Sequence, residues 1–160
     1  MSGNMIEECN GWAVVLARDC YGDTLSANVI AHNGGGLDLR DAHGCAVSAN
    51  TFTILKTHAV RIGPDSGRIA LTGNNFSNSY LGDGQVKRAT EDFAAAGVTL
   101  DGTRDVTITG NIFSGLTTPA IVKTDKPSKR IAIVGNVFAD VTSEHDGMDG
   151  VQQSNIGGER

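Results

Sequence analysis

Apolar residues in this chain alternate with polar ones in short runs, a period of two that predicts β-strands with one buried face. Two apolar pairs recur along the chain at regular intervals. The earlier pair reads Val14/Leu16, Leu37/Leu39, Val60/Ile62 and Val98/Leu100, and the later pair reads Cys45/Val47, Ile69/Leu71, Val106/Ile108 and Ile131/Ile133. Helical spacing of apolar residues occurs only in residues 80–96, so the pattern favours an all-β protein.

A four-residue pattern links these pairs: a small residue, Asn, any residue, and Ile or Phe. It occurs six times, with the asparagines at Asn4, Asn28, Asn50, Asn74, Asn111 and Asn136. Their separations are 24, 22, 24, 37 and 25 residues, so the long interval is one unit plus an insertion. Asn tolerates the left-handed backbone of a sharp turn, and stacked amides hydrogen-bond from unit to unit. We therefore interpret the asparagines as turn residues that form a structural ladder.

Each unit of 22–25 residues predicts three short strands, too few to bury an apolar face alone, whereas stacked units bury a continuous core. The sequence thus predicts a single-stranded parallel solenoid of about six coils over residues 1–142, with an insertion loop at about 80–96. Residues 143–160 are predicted to form a polar tail or one degenerate coil. Stacking places one residue of each coil in an internal column: Ile6, Ile30, Phe52, Phe76, Phe113 and Phe138.

The repeated Gly-Asn-x-Phe and Ala-Asn-x-Phe turns, with apolar pairs before them, resemble the right-handed parallel β-helix of the pectate-lyase-like superfamily. The resemblance covers residues 3 to about 142. It implies a carbohydrate-binding or carbohydrate-processing protein at an extracellular or cell-surface location, because that superfamily includes polysaccharide lyases and glycoside hydrolases. It also contains phage tailspikes and adhesins, so the alternative is a non-catalytic structural or adhesive module.

Composition narrows the classes of function. The chain has 160 residues, enough for one domain, and 13 basic against 18 acidic residues give a formal net charge of -5. Binding to nucleic acid needs a concentrated basic face, so we expect no nucleic-acid partner. The sequence has no run of about 18 apolar residues, so no membrane span is predicted. The three cysteines have neither a disulfide framework nor zinc spacing, and the N-terminus lacks the pattern of a signal peptide.

Charged residues concentrate on the outward positions of the first strand in each coil. Neighbouring coils lie ~4.8 Å apart, so this register brings together Asp38, Arg40, Arg61 and Asp101, with Thr99 in the column of Asp38 and Arg61. The insertion falls beside this face and contributes Tyr80, Lys87 and Arg88. We therefore predict an oligosaccharide or polysaccharide groove over the first sheet, walled by the insertion.

For an enzyme, these residue types predict a glycoside hydrolase or a polysaccharide lyase. Hydrolysis needs two carboxyl groups, and Asp38 and Asp101 lie two coils apart, ~9.6 Å along the axis from the strand spacing. Elimination needs a base and a cation that neutralises a uronate, a role open to Arg61. Arg40, Thr99 and the insertion would bind substrate. No cofactor or metal site is predicted, apart from Ca²⁺ held by oxygens of the two aspartates.

Other interpretations of these residues remain open. Asp38 opposite Arg61 also fits a structural ladder of cross-strand ion pairs. The histidines are predicted to lie in separate turns without a catalytic role: His32, His43, His58 and His145. The first coil begins mid-unit with no capping helix, which favours either missing N-terminal coils or a homo-oligomer that covers this end.

Overall fold

The computed structural model describes residues 1–77, 96–116, 118–141, 151–153 and 156–157, which form short strands without a helix. The strands are β1 (Met5–Glu7), β2 (Trp12–Leu16), β3 (Cys20–Tyr21), β4 (Thr24–Ser26), β5 (Val29–Ala31), β6 (Gly35–Leu39), β7 (Ala42–His43), β8 (Ala46–Ser48), β9 (Thr51–Thr53), β10 (His58–Ile62), β11 (Gly67–Thr72), β12 (Asn75–Ser77), β13 (Ala96–Leu100), β14 (Arg104–Thr109), β15 (Ile112–Ser114), β16 (Ile121–Lys123), β17 (Lys129–Val134), β18 (Val137–Ala139), β19 (Val151–Gln153) and β20 (Ile156–Gly157). Among the residues described, no helix has the length and apolar character needed to cross a membrane.

Three sheets form the walls of the coil, and successive strands of a sheet come from successive coils. The first sheet has the order β2-β6-β10-β13-β16, and the third has the order β1-β5-β9-β12-β15-β18-β20. The second runs β3-β7-β11-β14-β17-β19, with β4 pairing β8 and β8 pairing β11. Neighbouring strands are parallel throughout. The all-β parallel solenoid predicted from the sequence is confirmed, with about five full turns, since the first sheet has five strands, rather than six.

The predicted apolar pairs fill the interior because each strand turns alternate residues inward. In the first sheet, Leu37 pairs with Val60 and Val60 pairs with Val98, and all three are fully buried. In the second sheet, Leu71 pairs with Val47 on one side and Ile108 on the other. The repeat in the sequence is therefore a repeat of registered core positions.

Aromatic rings stack along the third sheet in the column that the sequence predicts. Ring centroids of Phe52 and Phe76 are 4.9 Å apart, those of Phe76 and Phe113 are 4.7 Å apart, and those of Phe113 and Phe138 are 5.2 Å apart. The planes lie within 9° of parallel. Ile30 continues the column and is fully buried. These separations match the ~4.8 Å between strands, so the backbone spacing itself sets the ring stack.

The asparagines form the predicted amide ladder. In each step the backbone N–H and the side-chain Nδ2 of one Asn both donate to Oδ1 of the Asn in the next coil. For Asn50 and Asn74 these two distances are both 3.0 Å, and Asn50 Nδ2 also donates to the Leu25 carbonyl at 2.9 Å. The same pattern runs from Asn4 to Asn136. Apart from Asn4, the ladder residues are buried, so their amides need hydrogen-bond partners within the protein. Each coil supplies these partners to the next.

The left-handed turn conformation belongs to the residue before each asparagine. The sequence interpretation gave it to Asn, and that part is wrong. The small residues have φ between 53° and 68°, at Gly3, Ala27, Ala49, Gly73, Gly110 and Gly135. None of the ladder asparagines has a positive φ, and in each step both Asn donors meet one acceptor. Gly adopts the left-handed conformation without strain, which explains its place at four of the six turns.

The insertion predicted at residues 80–96 lies outside the described residues except for Ala96, where β13 begins. In the C-terminal segment, Val151–Gln153 pairs in parallel with β17 and Ile156–Gly157 pairs with β18. Coil stacking therefore extends past residue 142.

Asn111→Ala removes one amide from the middle of the ladder. It should lower the free energy of unfolding by about 3 kcal/mol, because buried donors of Asn74 lose their acceptor and the Leu71 carbonyl loses a donor. Urea denaturation followed by circular dichroism measures the loss. Thr107→Ala, an exposed position on β14, is the control and should change stability by less than about 0.5 kcal/mol. Equal losses in the two variants would contradict the ladder.

Phe113→Ala removes a ring that is stacked on both faces and fully buried. We expect a loss of about 3–5 kcal/mol, the range for a large aromatic-to-alanine change in a core. The neighbouring Ile112 is 47% exposed, so Ile112→Ala is a matched control on the outer face of the same strand. A comparable loss in both variants would show that the ring column does not bear the stability.

Candidate functional site

The outward positions of the first sheet lie where the strand register predicts. Asp38 pairs with Val15 on one side and with Arg61 on the other, and Arg61 pairs with Thr99. Arg40 follows Asp38 by two residues on the same face, and Asp101 follows Thr99 in the same way. The structure thus brings together all five described residues that the sequence predicts for this site.

Arg61 bridges two aspartates, one from the coil on each side of its own. Its Nη1 donates to Asp38 Oδ1 at 2.9 Å, and its Nη2 donates to Asp101 Oδ2 at 2.5 Å. Arg40 Nε donates to the other oxygen of Asp38 at 2.6 Å. Gly63 follows Arg61 by two residues, and its backbone N–H donates to the Leu39 carbonyl of the preceding coil at 2.7 Å. This cluster, called the ion-pair network below, spans three coils.

Asp101 has two further partners in the next coil. Thr124 Oγ1 donates to Asp101 Oδ1 at 2.8 Å, and Lys126 Nζ lies 3.4 Å from the same oxygen. Burial alone would raise the pKa of Asp101, but the hydrogen bonds from Thr124, Arg61 and Lys126 outweigh it and lower the pKa below its ordinary range. Asp101 is therefore a carboxylate stabilised in its ionised form.

The burial of these groups decides what chemistry they favour. The side chain of Asp38 is 1% exposed and that of Asp101 is 7% exposed. Burial would lower the pKa of Arg61, yet its bonds to Asp101 and Asp38 raise it, so the guanidinium stays charged. A general acid in glycoside hydrolysis needs a carboxyl group whose pKa is raised, and both aspartates have their oxygens occupied. The geometry favours a structural role, and the catalytic role of Asp38, Asp101 and Arg61 stays a prediction.

A calcium ion does not fit between the two aspartates. Both oxygens of Asp38 and both oxygens of Asp101 accept a hydrogen bond or ion pair, and the Arg61 guanidinium occupies the space between the carboxylates. A cation there would have to displace Arg61. Within the described parts of the chain, no group of three or more His, Cys, Asp or Glu residues is arranged to hold a metal ion.

Thr99 is buried and contacts a histidine that the sequence places in a turn. Thr99 Oγ1 lies 2.8 Å from Nδ1 of His58, which begins β10, so the prediction of a turn is wrong for this residue. The His58 ring stacks on Trp12 at a centroid distance of 5.8 Å and with an angle of 8°. Burial, helped by the charge of Arg61, lowers the pKa of His58, and Asp38 opposes the shift. Imidazole at this position is therefore favoured as the neutral form.

The pairing of Trp12 and His58 leaves a signal in the sequence. Each residue precedes the first apolar residue of its coil by two positions, and Gly35 has that place in the coil between them. A methyl group at Gly35 would lie 2.6 Å from a ring carbon of Trp12, so only Gly leaves room for the ring. Comparing equivalent positions across coils would have found this cluster.

The three substrate-binding residues predicted in the insertion, Tyr80, Lys87 and Arg88, lie outside the described residues. Their place relative to the first sheet stays a prediction.

A groove with a volume of about 540 Å³ lies over the outer face of the third sheet. The groove that the sequence predicts over the first sheet stays a prediction. Five coils contribute to the third-sheet groove through β1, β5, β9, β12 and β15. Its polar lining includes Thr51, Thr53, Asn75, Ser77 and Ser114, and its apolar lining includes Met5, Val29, Ala31 and Ile112. Along the axis of the coil, the lining is therefore apolar at Met5, Val29 and Ala31 and carries short hydroxyl and amide groups from Thr51 to Ser77.

Comparison with known families agrees with this architecture. A family model described as "Right handed beta helix region" matches residues 12–157. The chain belongs to the right-handed beta helix family. No curated protein and no solved structure matches the chain. Because a β-helix carries many unrelated functions, family membership gives this β-helix its fold, and its function has to be argued from its surfaces.

Arg61→Ala in this β-helix removes the bridge between two buried carboxylates. At pH 7 we expect a loss of about 3 kcal/mol in the free energy of unfolding. This value is the lower end of the range for breaking a buried ion pair, and it applies because the Arg61 side chain is 29% exposed. Arg40→Ala is the control: the Arg40 side chain is 53% exposed, so the loss should be less than about 1 kcal/mol.

The loss in Arg61→Ala should also depend on pH. The pKa of Asp101 in the folded protein lies below its ordinary value of 3.8, so its ionised form stabilises the fold above that pH and the stabilisation disappears as the pH falls below it. Without Arg61, one of the hydrogen bonds that oppose burial is lost, so the pKa of Asp101 is higher than in wild type. The difference between wild type and Arg61→Ala, measured by urea denaturation, should therefore shrink between pH 7 and pH 3. A constant difference would contradict the ionic account.

Proposed function

We propose that this β-helix binds a neutral saccharide chain along the groove over the third sheet. The observation that carries the proposal is the groove itself, which crosses five coils and is lined by both apolar side chains and short hydroxyl and amide side chains. A saccharide presents the same two kinds of surface, hydroxyl groups at its edges and C–H groups on its ring faces. A ligand lying along the axis would meet one coil about every 4.8 Å.

The charge of the lining supports a neutral ligand. Thr53, Asn75 and Ser114 are among the groups that offer polar contacts. Among the described lining residues, the one carboxylate is that of Glu7, in the first coil. Hydroxyl and amide groups both donate and accept hydrogen bonds, which suits the hydroxyl groups of sugars. A uronate or a sulfated chain would find no cationic lysine or arginine among these lining residues.

The ion-pair network has a different part in this proposal. Asp38 and Asp101 are buried and held by arginines, so they stabilise the stack of coils instead of contacting the saccharide. Arg40 and Lys126 are more than half exposed on that face. This arrangement favours a protein that binds a saccharide without using the two aspartates to cleave it. Saccharide binding over the first sheet is a separate prediction, and the experiment below tests it as well.

Thr51→Trp should block the groove, because the side chain of Thr51 lies in its middle strand and a large ring there fills the space for a ligand. The measurement is a glycan array with neutral and uronic oligosaccharides, followed by calorimetry on any ligand found. We expect binding of a neutral glycan by wild type and a loss of at least about tenfold in Thr51→Trp, which corresponds to ~1.4 kcal/mol.

Two controls separate the faces of the coil. Thr107→Trp places the same ring on the outer face of the second sheet and should bind as wild type does. Arg40→Gln alters the exposed part of the first sheet and should also leave binding unchanged. Binding that survives in Thr51→Trp but fails in Arg40→Gln would move the site to the first sheet. Absence of binding to every glycan would overturn the proposal in favour of a structural module.

A further inference from the structure

A column of outward residues on the second sheet has a gap at its centre. The register aligns Tyr21 with His43, His43 with Gly67, Gly67 with Arg104, and Arg104 with Lys129. Gly67 has no side chain, and the Arg104 side chain lies beside it: a methyl group there would be 3.2 Å from Arg104 Cγ. The missing side chain leaves a pocket with a volume of about 250 Å³, several times the ~30 Å³ share of one water molecule.

The pocket is lined mainly by cationic and aromatic groups: Tyr21, His43, Gly67, Arg68, Arg104 and Asp105. Both arginines are exposed, and within the described residues neither guanidinium has a hydrogen-bond or ion-pair partner. On the opposite wall, the rings of Tyr21 and His43 stack at 5.1 Å. The pocket therefore offers two arginines whose donors are available to a ligand.

The carboxylates near the pocket are already paired. Arg130 donates to both oxygens of Asp105, at 2.5 and 2.7 Å, which lowers the pKa of Asp105 and balances its charge. Asp41 accepts from the Asp19 backbone N–H at 2.8 Å and lies 3.1 Å from His43 Nε2. Tyr21 donates to Asp19 at 3.3 Å. Arg68 and Arg104 attract Asp105 electrostatically, but its oxygens accept from Arg130, so the N–H donors of Arg68 and Arg104 remain available to a ligand.

We propose that this pocket binds a tetrahedral oxyanion, a sulfate or phosphate group, through Arg68 and Arg104. Guanidinium groups form short, charge-assisted and often bidentate hydrogen bonds with such groups. Gly67 at the floor lets the anion approach the sheet between the two arginines, and His43 closes the other side. The site lies on the second sheet, so it is independent of the saccharide groove proposed on the third sheet.

The experiment is an amide NMR titration of the full chain with sodium sulfate, with sodium chloride at equal ionic strength as the reference. We expect saturable shifts at Gly67, Arg68 and Asp105 in wild type. In Arg104→Gln the dissociation constant should rise at least about tenfold, because one charge-assisted contact is lost. Arg40→Gln, an equally conservative change of an exposed arginine on the first sheet, should leave the titration unchanged.

The double variant Arg68→Gln/Arg104→Gln guards against compensation by the remaining arginine and should abolish the saturable shifts. Its amide spectrum in the absence of sulfate shows whether the fold is retained. Inorganic phosphate and glucose 6-sulfate, with glucose as control, distinguish a free anion from an ester on a sugar, and tighter binding of the ester would identify the carrier. Shifts that are unsaturable and spread over all three sheets, or that persist in the double variant, would overturn the proposal.

Discussion

The asparagine ladder is the interaction on which the rest of this structure depends. A buried amide is costly unless it is paired, and here each one is paired with the amide and backbone of the adjacent coils. That requirement fixes the height of one coil relative to the next, and the small residue before each Asn supplies the left-handed turn that makes the geometry reachable. Once the turns are in register, the three sheets and the phenylalanine column follow from the same ~4.8 Å spacing.

Surface chemistry on this scaffold comes from the same registration. Residues that lie 23 or 40 positions apart in the chain, such as Arg61 with Asp38 and with Asp101, become neighbours because their coils are stacked. Glycines in the outward columns then decide which neighbours meet. Gly35 leaves room for the Trp12 ring, and Gly67 lines a pocket beside Arg104. The three sheets of this solenoid thus present surfaces of different chemistry.

The fold could be predicted because it repeats: six occurrences of one turn reveal the period, and the period gives the register of Leu37, Val60 and Val98 without any knowledge of side-chain positions. The same register correctly gathers Asp38, Arg61 and Asp101. It does not reveal that Arg61 bridges the aspartates or that both are buried, because those depend on rotamers and on what covers the face. The groove at Thr51 and Thr53 also leaves little signal, since short polar residues look the same on any exposed strand.

The ladder also has a direction. At each step Oδ1 accepts from the Asn of the preceding coil, so the side-chain carbonyls all point the same way along the axis. At the first coil, Asn4 donates to Asn28, while its own Oδ1 accepts no hydrogen bond from the described residues. Over the described steps from Asn4 to Asn136, the ladder thus has a single polarity. A coil turned upside down in such a stack would set Oδ1 against Oδ1 at one junction and N–H against N–H at the other, so the amides alone impose one orientation on every coil.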